Sequence, residues 1–109
     1  MSEEILSQLK KEIEGNKITL FTKGTVDMPM CGFSARTIAI FKELGKPFKA
    51  VDILPDPRIR QVLSSLSSWP TIPQIFIGGK FVGGCDIVME MYQKGELQPI
   101  VEEAFKPGA

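Results

Sequence analysis

The chain has 109 residues, 43% of them hydrophobic, which suffices for one globular domain with its own core. Its 13 basic and 13 acidic residues leave a net charge of zero, so the composition does not indicate a nucleic-acid or anionic-membrane partner. With no histidine and two cysteines, Cys–His catalysis and histidine-containing metal sites are excluded, and two thiolates cannot complete a four-thiolate site alone.

The start of the chain and its apolar runs are used to predict the cellular compartment. No secretory segment opens the sequence, and no apolar run approaches the length that crosses a bilayer. We therefore expect a cytoplasmic protein without a membrane partner. In that reducing compartment two cysteines are more often catalytic or metal-binding than structural.

The first half of the chain predicts a helix followed by a βαβ unit. The helix begins at Ser2-Glu3-Glu4, ends at Gly15-Asn16 and has one apolar face formed by Ile5, Leu6, Leu9 and Ile13. The residues that follow predict a strand over Ile18–Thr22, a helix over Ala35–Leu44 ending at Gly45, and a second strand over Phe48–Ile53. Because a helix crosses between them, we expect the two strands to run parallel.

The second half predicts a helix, a hairpin and two further helices. Asp56 is a predicted N-cap with Pro57 at the first helical position. The hairpin consists of strands Gln74–Ile77 and Lys80–Val82 around the Gly78-Gly79 turn. The next helix opens after Gly83-Gly84, with Ile87, Val88, Met91 and Tyr92 predicted to face inward, and the last runs from about Pro99 to Phe105.

The loop from Lys23 to Ser34 contains Cys31 at or just outside the N-terminus of a helix. Unpaired backbone N–H groups and the helix dipole favour a thiolate there. A buried structural cysteine is the alternative, but Gly32 removes side-chain cover and Lys23 supplies a nearby cation. Because Ser34 stands where a second cysteine would form a C-x-x-C pair, Cys31 needs a partner from outside this loop.

The predicted order of elements is that of the thioredoxin fold, an α/β fold with a central mixed four-stranded sheet flanked by helices. Within it, four motifs resemble those of monothiol glutaredoxins of the single-domain CGFS class: Lys23-Gly24-Thr25, Cys31-Gly32-Phe33-Ser34, Trp69-Pro70-Thr71-Ile72-Pro73 and Gly83-Gly84-Cys85-Asp86. The resemblance implies a single glutaredoxin domain over residues 1–109. Three positions depart from the family pattern: Val26 replaces a frequent proline, and Ser64 and Leu66 replace a frequent lysine and tyrosine.

The resemblance implies a glutathione site. Lys23 and Arg60 would hold the glycyl carboxylate, and the backbone of Ile72, before a cis proline at Pro73, would bind the ligand as an added strand.

At the other end of glutathione, backbone N–H groups of Cys85 and Asp86 behind the Gly83-Gly84 turn would take the γ-glutamyl carboxylate, with the Asp86 side chain near the ammonium. Trp69 and Thr71 would support the proline loop.

Three residues of this predicted site have simpler interpretations. Arg60 alone would be a solvated helix arginine, and Asp86 alone would be an N-cap. Cys85 is either a buried small residue or the partner of a regulatory disulfide with Cys31 or glutathione.

Two functions fit the predicted site. In the family, as the resemblance implies, a homodimer carries a [2Fe–2S] cluster on two cysteines and two glutathiones and transfers it to acceptor proteins. The resemblance also implies that a BolA-type protein can take the place of the second copy. The alternative is a glutathione-dependent oxidoreductase in which Cys31 attacks a mixed disulfide. The CGFS class is generally poor at that reaction, which favours the carrier.

Overall fold

A computed structural model describes residues 2–108; Met1 and Ala109, the ends of the predicted domain, lie outside the described residues. In chain order the elements are α1 (Ser2–Gly15), β1 (Ile18–Thr22), α2 (Gly32–Leu44), β2 (Lys49–Asp52), α3 (Pro57–Ser67), β3 (Gln74–Ile77), β4 (Lys80–Gly83), α4 (Cys85–Gln93) and α5 (Leu97–Ala104).

The four strands form one mixed sheet in the order β2-β1-β3-β4. β1 runs parallel to β2 and antiparallel to β3, and β3 pairs antiparallel with β4, so the predicted thioredoxin-fold sheet is confirmed. In this register Thr22 lies opposite Asp52, and Phe21 opposite Gln74. The end of β1, the end of β2 and the start of β3 therefore meet at one edge of the sheet, beside the Cys31 loop.

Helices cover both faces of the sheet, and side chains that alternate along each strand pack against one helical layer or the other. On β1, Ile18 and Leu20 face the core beneath α2, α4 and α5, whereas Phe21 faces the core beneath α1 and α3. On β3, Ile75 and Phe76 divide in the same way between the two cores. Burial on both faces explains why β1 is apolar or β-branched throughout and fully buried.

Several element boundaries differ slightly from those predicted. α2 begins at Gly32, three residues before the predicted Ala35, because Cys31 takes the N-cap position in extended conformation. β2 is one residue shorter at each end than Phe48–Ile53. α5 begins at Leu97, which is fully buried; Pro99 is its third residue, where a missing N–H costs no intrahelical hydrogen bond.

The predicted inward face of α4 was partly wrong. Val88 is buried, but Ile87 and Tyr92 are 36% and 37% exposed. The Ile87 side chain lies against the backbone of Gly83 instead, where a Cβ would be 3.0 Å from its carbons. Cys85 is buried instead, and Met89 packs against the core.

Within residues 2–108, every helix is too short or too polar to span a membrane.

Candidate functional site

An open groove with a volume of about 530 Å³ lies at the edge of the sheet where β1, β2 and β3 meet. It brings together residues from all four sequence motifs. Its lining residues are Lys23, Cys31, Phe33, Arg60, Trp69, Thr71, Ile72, Pro73, Gly84, Cys85, Asp86 and Ile87. The predicted ligand-contacting residues Lys23, Arg60, Ile72, Cys85 and Asp86 are thus all at one site.

Cys31 is half-exposed at the N-terminus of α2, so it is not the buried structural cysteine of the alternative interpretation. The backbone N–H of Ser34 donates to its sulfur and lowers the pKa of the thiol most strongly. The Phe33 N–H, the Lys23 charge and the Ser34 hydroxyl lower this pKa further, against an opposing effect of partial burial. Helix-terminal N–H groups therefore favour the thiolate, the form that is nucleophilic and binds metals.

The Ser34 side chain joins the helix to the preceding loop. It is fully buried, and its hydroxyl accepts a hydrogen bond from the Lys23 backbone N–H at 3.1 Å while donating to the Cys31 sulfur. A serine hydroxyl can accept and donate at once. Ser34 therefore fixes the backbone of Lys23 relative to the thiol in addition to leaving Cys31 without a disulfide partner in the motif.

Gly24 anchors the other side of the Cys31 loop. Its N–H donates to Asp52 Oδ1 at 2.9 Å, and its carbonyl accepts from Thr22 Oγ1 at 2.9 Å. At φ 91° it has a left-handed backbone, and a Cβ there would clash with the backbone of Met28 and Met30. Only glycine therefore fits at this position.

The proline loop forms the opposite wall of the groove. The Ile72–Pro73 peptide bond is cis, as the resemblance implies. Trp69 packs against Phe81 with ring centroids 5.7 Å apart. Gln74 Nε2 donates to the Trp69 carbonyl at 2.9 Å and to the Thr71 carbonyl at 3.2 Å. Trp69 and Thr71 are therefore tied to the start of β3.

The N-terminus of α4 closes one end of the groove. Gly84 is its N-cap, and a Cβ there would lie 3.1 Å from Trp69 Nε1, closer than ordinary van der Waals contact. Gly83 has φ 153°, which glycine adopts easily. The Cys85 side chain is buried, whereas Asp86 is exposed in the first turn. Gly84 thus allows the helix terminus to approach the Trp69 loop.

Arg60 projects from α3 at the groove margin. It is exposed, and its Nη2 lies 3.4 Å from the Pro70 carbonyl, a weak contact that a carboxylate ligand could displace. The Ser64 hydroxyl oxygen is buried without a hydrogen-bond partner among residues 2–108, so it does not replace the lysine frequent in the family.

Gly32, next to Cys31, is exposed, and a Cβ there would meet no described atom within 4 Å.

Sequence reasoning missed four residues of the site. The sequence shows Phe33 only as part of a motif, although its N–H faces the thiol and its side chain is 53% exposed. Asp52 and Gln74 look like ordinary strand residues in the sequence, and the helical pattern predicts a buried Ile87. The position of Asp52 as the last residue of β2 is the available signal, because the ends of parallel strands meet at the same edge of the sheet.

Among residues 2–108, a thioredoxin fold brings a half-exposed cysteine at a helix N-terminus to a cis proline, and this arrangement defines a thiol-based site. Comparison with known protein families identifies the family, since the model described as Glutaredoxin matches residues 18–82. The chain belongs to the glutaredoxin family, and with Ser34 in place of a second cysteine it is of the monothiol type.

Individual relatives agree with this placement. A Synechocystis protein described as an uncharacterized monothiol glutaredoxin, ycf64-like, is 46% identical over 105 residues, covering 96% of this chain and 98% of the relative. The solution structure of reduced poplar apo GrxS14 is 50% identical, with TM-score 0.81 and 90% of each chain covered. The crystal structure of a buckwheat glutaredoxin–glutathione complex is 28% identical, with TM-score 0.85 and coverage of 94% and 92%.

Proposed function

We propose that this protein binds glutathione and carries a [2Fe–2S] cluster as a glutathione-ligated homodimer. The observation that carries the proposal is the arrangement around Cys31. A half-exposed cysteine with a lowered thiol pKa lies in a groove lined by two cations and by the residues flanking a cis peptide bond, and its own motif offers no second sulfur.

The groove has a complement for each end of glutathione. Lys23 and Arg60 provide two cations on one side for the glycyl carboxylate. The backbone of Ile72, next to the cis proline, is suited to the central peptide part, and the free N–H groups at the start of α4 suit the γ-glutamyl carboxylate. Asp86, exposed in that first turn, can accept from the γ-glutamyl ammonium. In this proposed order, the central cysteine of glutathione would lie near Cys31.

The available ligands favour a cluster shared between two copies. A [2Fe–2S] cluster needs four ligands, usually thiolates. Cys31 supplies one, Cys85 is only 5% exposed, and no group of three or more Cys, Asp or Glu able to hold a metal occurs in the described part of the chain. Glutathione and a second copy supply the remaining sulfurs in the proposal.

Apolar side chains near Cys31 support a facing copy. Met28, Met30 and Phe33 are 69%, 66% and 53% exposed, and all three lie within three residues of the thiol. Contiguous exposed apolar surface is typical of protein contacts, and in the proposal these three side chains contribute to one such surface. We extend the proposal to cluster acceptor proteins and to a BolA-type partner on this surface, within the cytoplasm.

Anaerobic cluster reconstitution with and without glutathione, followed by size-exclusion chromatography, tests the proposal. The [2Fe–2S] absorption and a dimer are expected together, and only with glutathione present. A monomer that holds the cluster, or a dimer that forms regardless of glutathione, would contradict the ligand scheme.

Two cysteine variants provide matched controls. Cys31→Ser is expected to abolish cluster binding, because a hydroxyl stays protonated at neutral pH and ligates iron poorly. Cys85→Ser is expected to keep the cluster, because Cys85 is buried. Cluster loss in Cys85→Ser together with retention in Cys31→Ser would mean that the two sulfurs have been assigned the wrong way round.

The lowered thiol pKa favours a second candidate, a glutathione-dependent thiol–disulfide oxidoreductase. The Cys31 thiolate would attack the glutathione sulfur of a mixed disulfide, releasing the substrate thiolate, and a second glutathione would regenerate Cys31 as glutathione disulfide forms. A colourless protein with fast turnover of a mixed-disulfide substrate would favour this enzyme. A brownish protein that bleaches in air would favour the carrier.

A further inference from the structure

Side chains hold three consecutive backbone carbonyls on the proline-loop wall of the groove. Gln74 donates to the carbonyls on either side of Pro70, those of Trp69 at 2.9 Å and Thr71 at 3.2 Å. Arg60 reaches the Pro70 carbonyl between them at 3.4 Å. Both hydrogens of the Gln74 amide are thus directed at the segment that leads into the cis bond.

Gln74 is an unusual residue for its surroundings. It is fully buried at the first position of β3, opposite Phe21 of the central strand. Its Oε1 is buried with no partner among residues 2–108. Burying an unpaired polar atom lowers stability, so packing alone would favour an apolar side chain at this position.

The amide links a rigid strand to a segment that has no regular structure. The backbone of Ile72 lies between Thr71, which Gln74 holds, and Pro73, which joins directly to Gln74. The chain from residue 69 to residue 74 therefore forms a short loop closed by the Gln74 side chain. Within this loop the Ile72 N–H and C=O directions are restricted.

We propose that Gln74 is a positioning residue for the peptide ligand of the groove. Its amide fixes the Trp69–Thr71 carbonyls and thereby sets the Ile72 backbone in the orientation that an extended peptide pairs with. Because the ligand in question is glutathione, the inference rests on the proposed function. Gln74 itself acts through Ile72 and does not touch the ligand.

The substitution Gln74→Met tests this role because it keeps the length of the side chain and removes both donors. Two measurements are made on the full chain: amide hydrogen exchange of residues 69–72 without ligand, and isothermal titration with reduced glutathione. We expect faster exchange in this segment and roughly tenfold weaker glutathione binding, the effect of losing about 1.4 kcal/mol of binding free energy.

Thr19→Val is the matched control for general loss of stability. Thr19 is also fully buried in the sheet, and its hydroxyl donates to the Glu12 carbonyl at 2.9 Å, a contact with α1 outside the groove. This variant should lower the unfolding midpoint without changing glutathione affinity or exchange in residues 69–72. The alkylation rate of Cys31 should be unchanged in both variants, because Gln74 makes no contact with the thiol's hydrogen-bond donors.

The two measurements separate this inference from the proposed function. If the unmodified protein fails to bind glutathione, the proposed function fails. The positioning role is then judged by hydrogen exchange alone: faster exchange in Gln74→Met would support it, and unchanged exchange would overturn it. If the unmodified protein binds, equal affinity in Gln74→Met overturns the inference. If Gln74→Met does not fold, Gln74→Glu replaces it. A carboxyl group offers at most one hydrogen to the two carbonyls, so the same faster exchange and weaker binding are expected, and their absence overturns the inference.

Discussion

Ser34→Ala is expected to lower stability measurably while leaving most of the thiol's acidity intact. The substitution removes the acceptor of the Lys23 N–H, now at 3.1 Å, from a fully buried position. An unpaired buried N–H costs about 1–3 kcal/mol. Because Lys23 is half-buried and water reaches its surroundings, the lower end applies, about 1 kcal/mol. In a domain of this size that corresponds to a fall in Tm of roughly 4–8 °C.

The same variant separates the contributions to the Cys31 pKa. Among the groups that lower this pKa, the Ser34 backbone N–H acts most and the hydroxyl least. The thiol pKa should therefore rise in Ser34→Ala, yet stay below that of an ordinary cysteine. Circular dichroism melting and iodoacetamide alkylation over a pH series measure the two effects.

Ser65→Ala, an exposed position on α3, is the control and should change neither quantity. An ordinary thiol pKa in Ser34→Ala would refute the leading role of the backbone N–H groups. An unchanged Tm would show that the Lys23 N–H finds another partner.

Three further predictions concern the same site. Folding lowers the pKa of Cys31, so its thiolate stabilises the folded state above the unfolded thiol pKa, and this contribution is lost as pH falls through the folded pKa. Urea unfolding of the unmodified protein and Cys31→Ser should therefore give a stability difference that grows with pH, and a flat difference would contradict it. Lys23→Ala and Arg60→Ala should each weaken glutathione binding in isothermal titration by about 1–3 kcal/mol, the range for a charge-assisted hydrogen bond, and Lys23→Ala alone should also slow alkylation near neutral pH. Unchanged affinity in both would place the carboxylate elsewhere. In urea unfolding, Gly24→Ala should lower the free energy of unfolding more than Gly45→Ala. Both glycines have positive φ, but of the two only Gly24 would bring a new Cβ against neighbouring backbone. Equal losses would mean that the clash relaxes freely.

Local sequence signals were sufficient for the position of Cys31. The apolar run of β1, the glycine and proline of the loop, and the change to helical periodicity are all local features of the same stretch of sequence. The end of the strand and the start of the helix could therefore be predicted from them. The Asp56 cap and Pro57 were predicted for the same reason, and the Asp56 carboxylate indeed accepts from the Arg58 N–H.

Contacts between distant residues could not be predicted in this way. Asp52 accepts from Gly24, 28 residues away, and the sequence of β2 gives no sign of that partner. Apolar periodicity also does not fix which side of α4 faces the core: Ile87 lies against Gly83 and is 36% exposed, whereas Cys85 and Val88 are buried. Gln74 presents the same difficulty, because a polar residue that opens a strand ordinarily indicates an exposed position, whereas here it is fully buried beneath the proline loop.

The acidity of Cys31 does not by itself decide between the two proposed functions. A thiolate is both the attacking group in disulfide exchange and the ligand form for iron, so backbone N–H groups that lower the thiol pKa serve either role equally. Both functions require a thiolate, but they differ in what they require of the surface around it. An oxidoreductase needs room at Cys31 for a large disulfide substrate and an attacking glutathione, whereas a cluster carrier needs a surface on which a second copy covers the site.

Near Cys31 the side chains of Met28, Met30 and Phe33 are exposed, and we propose that they form part of the surface that a second copy would cover. Apolar groups around a reactive thiol gain free energy only when a partner removes them from water. The exposed apolar side chains near the thiol, rather than the chemistry of the sulfur, are therefore the reason that we propose the carrier first.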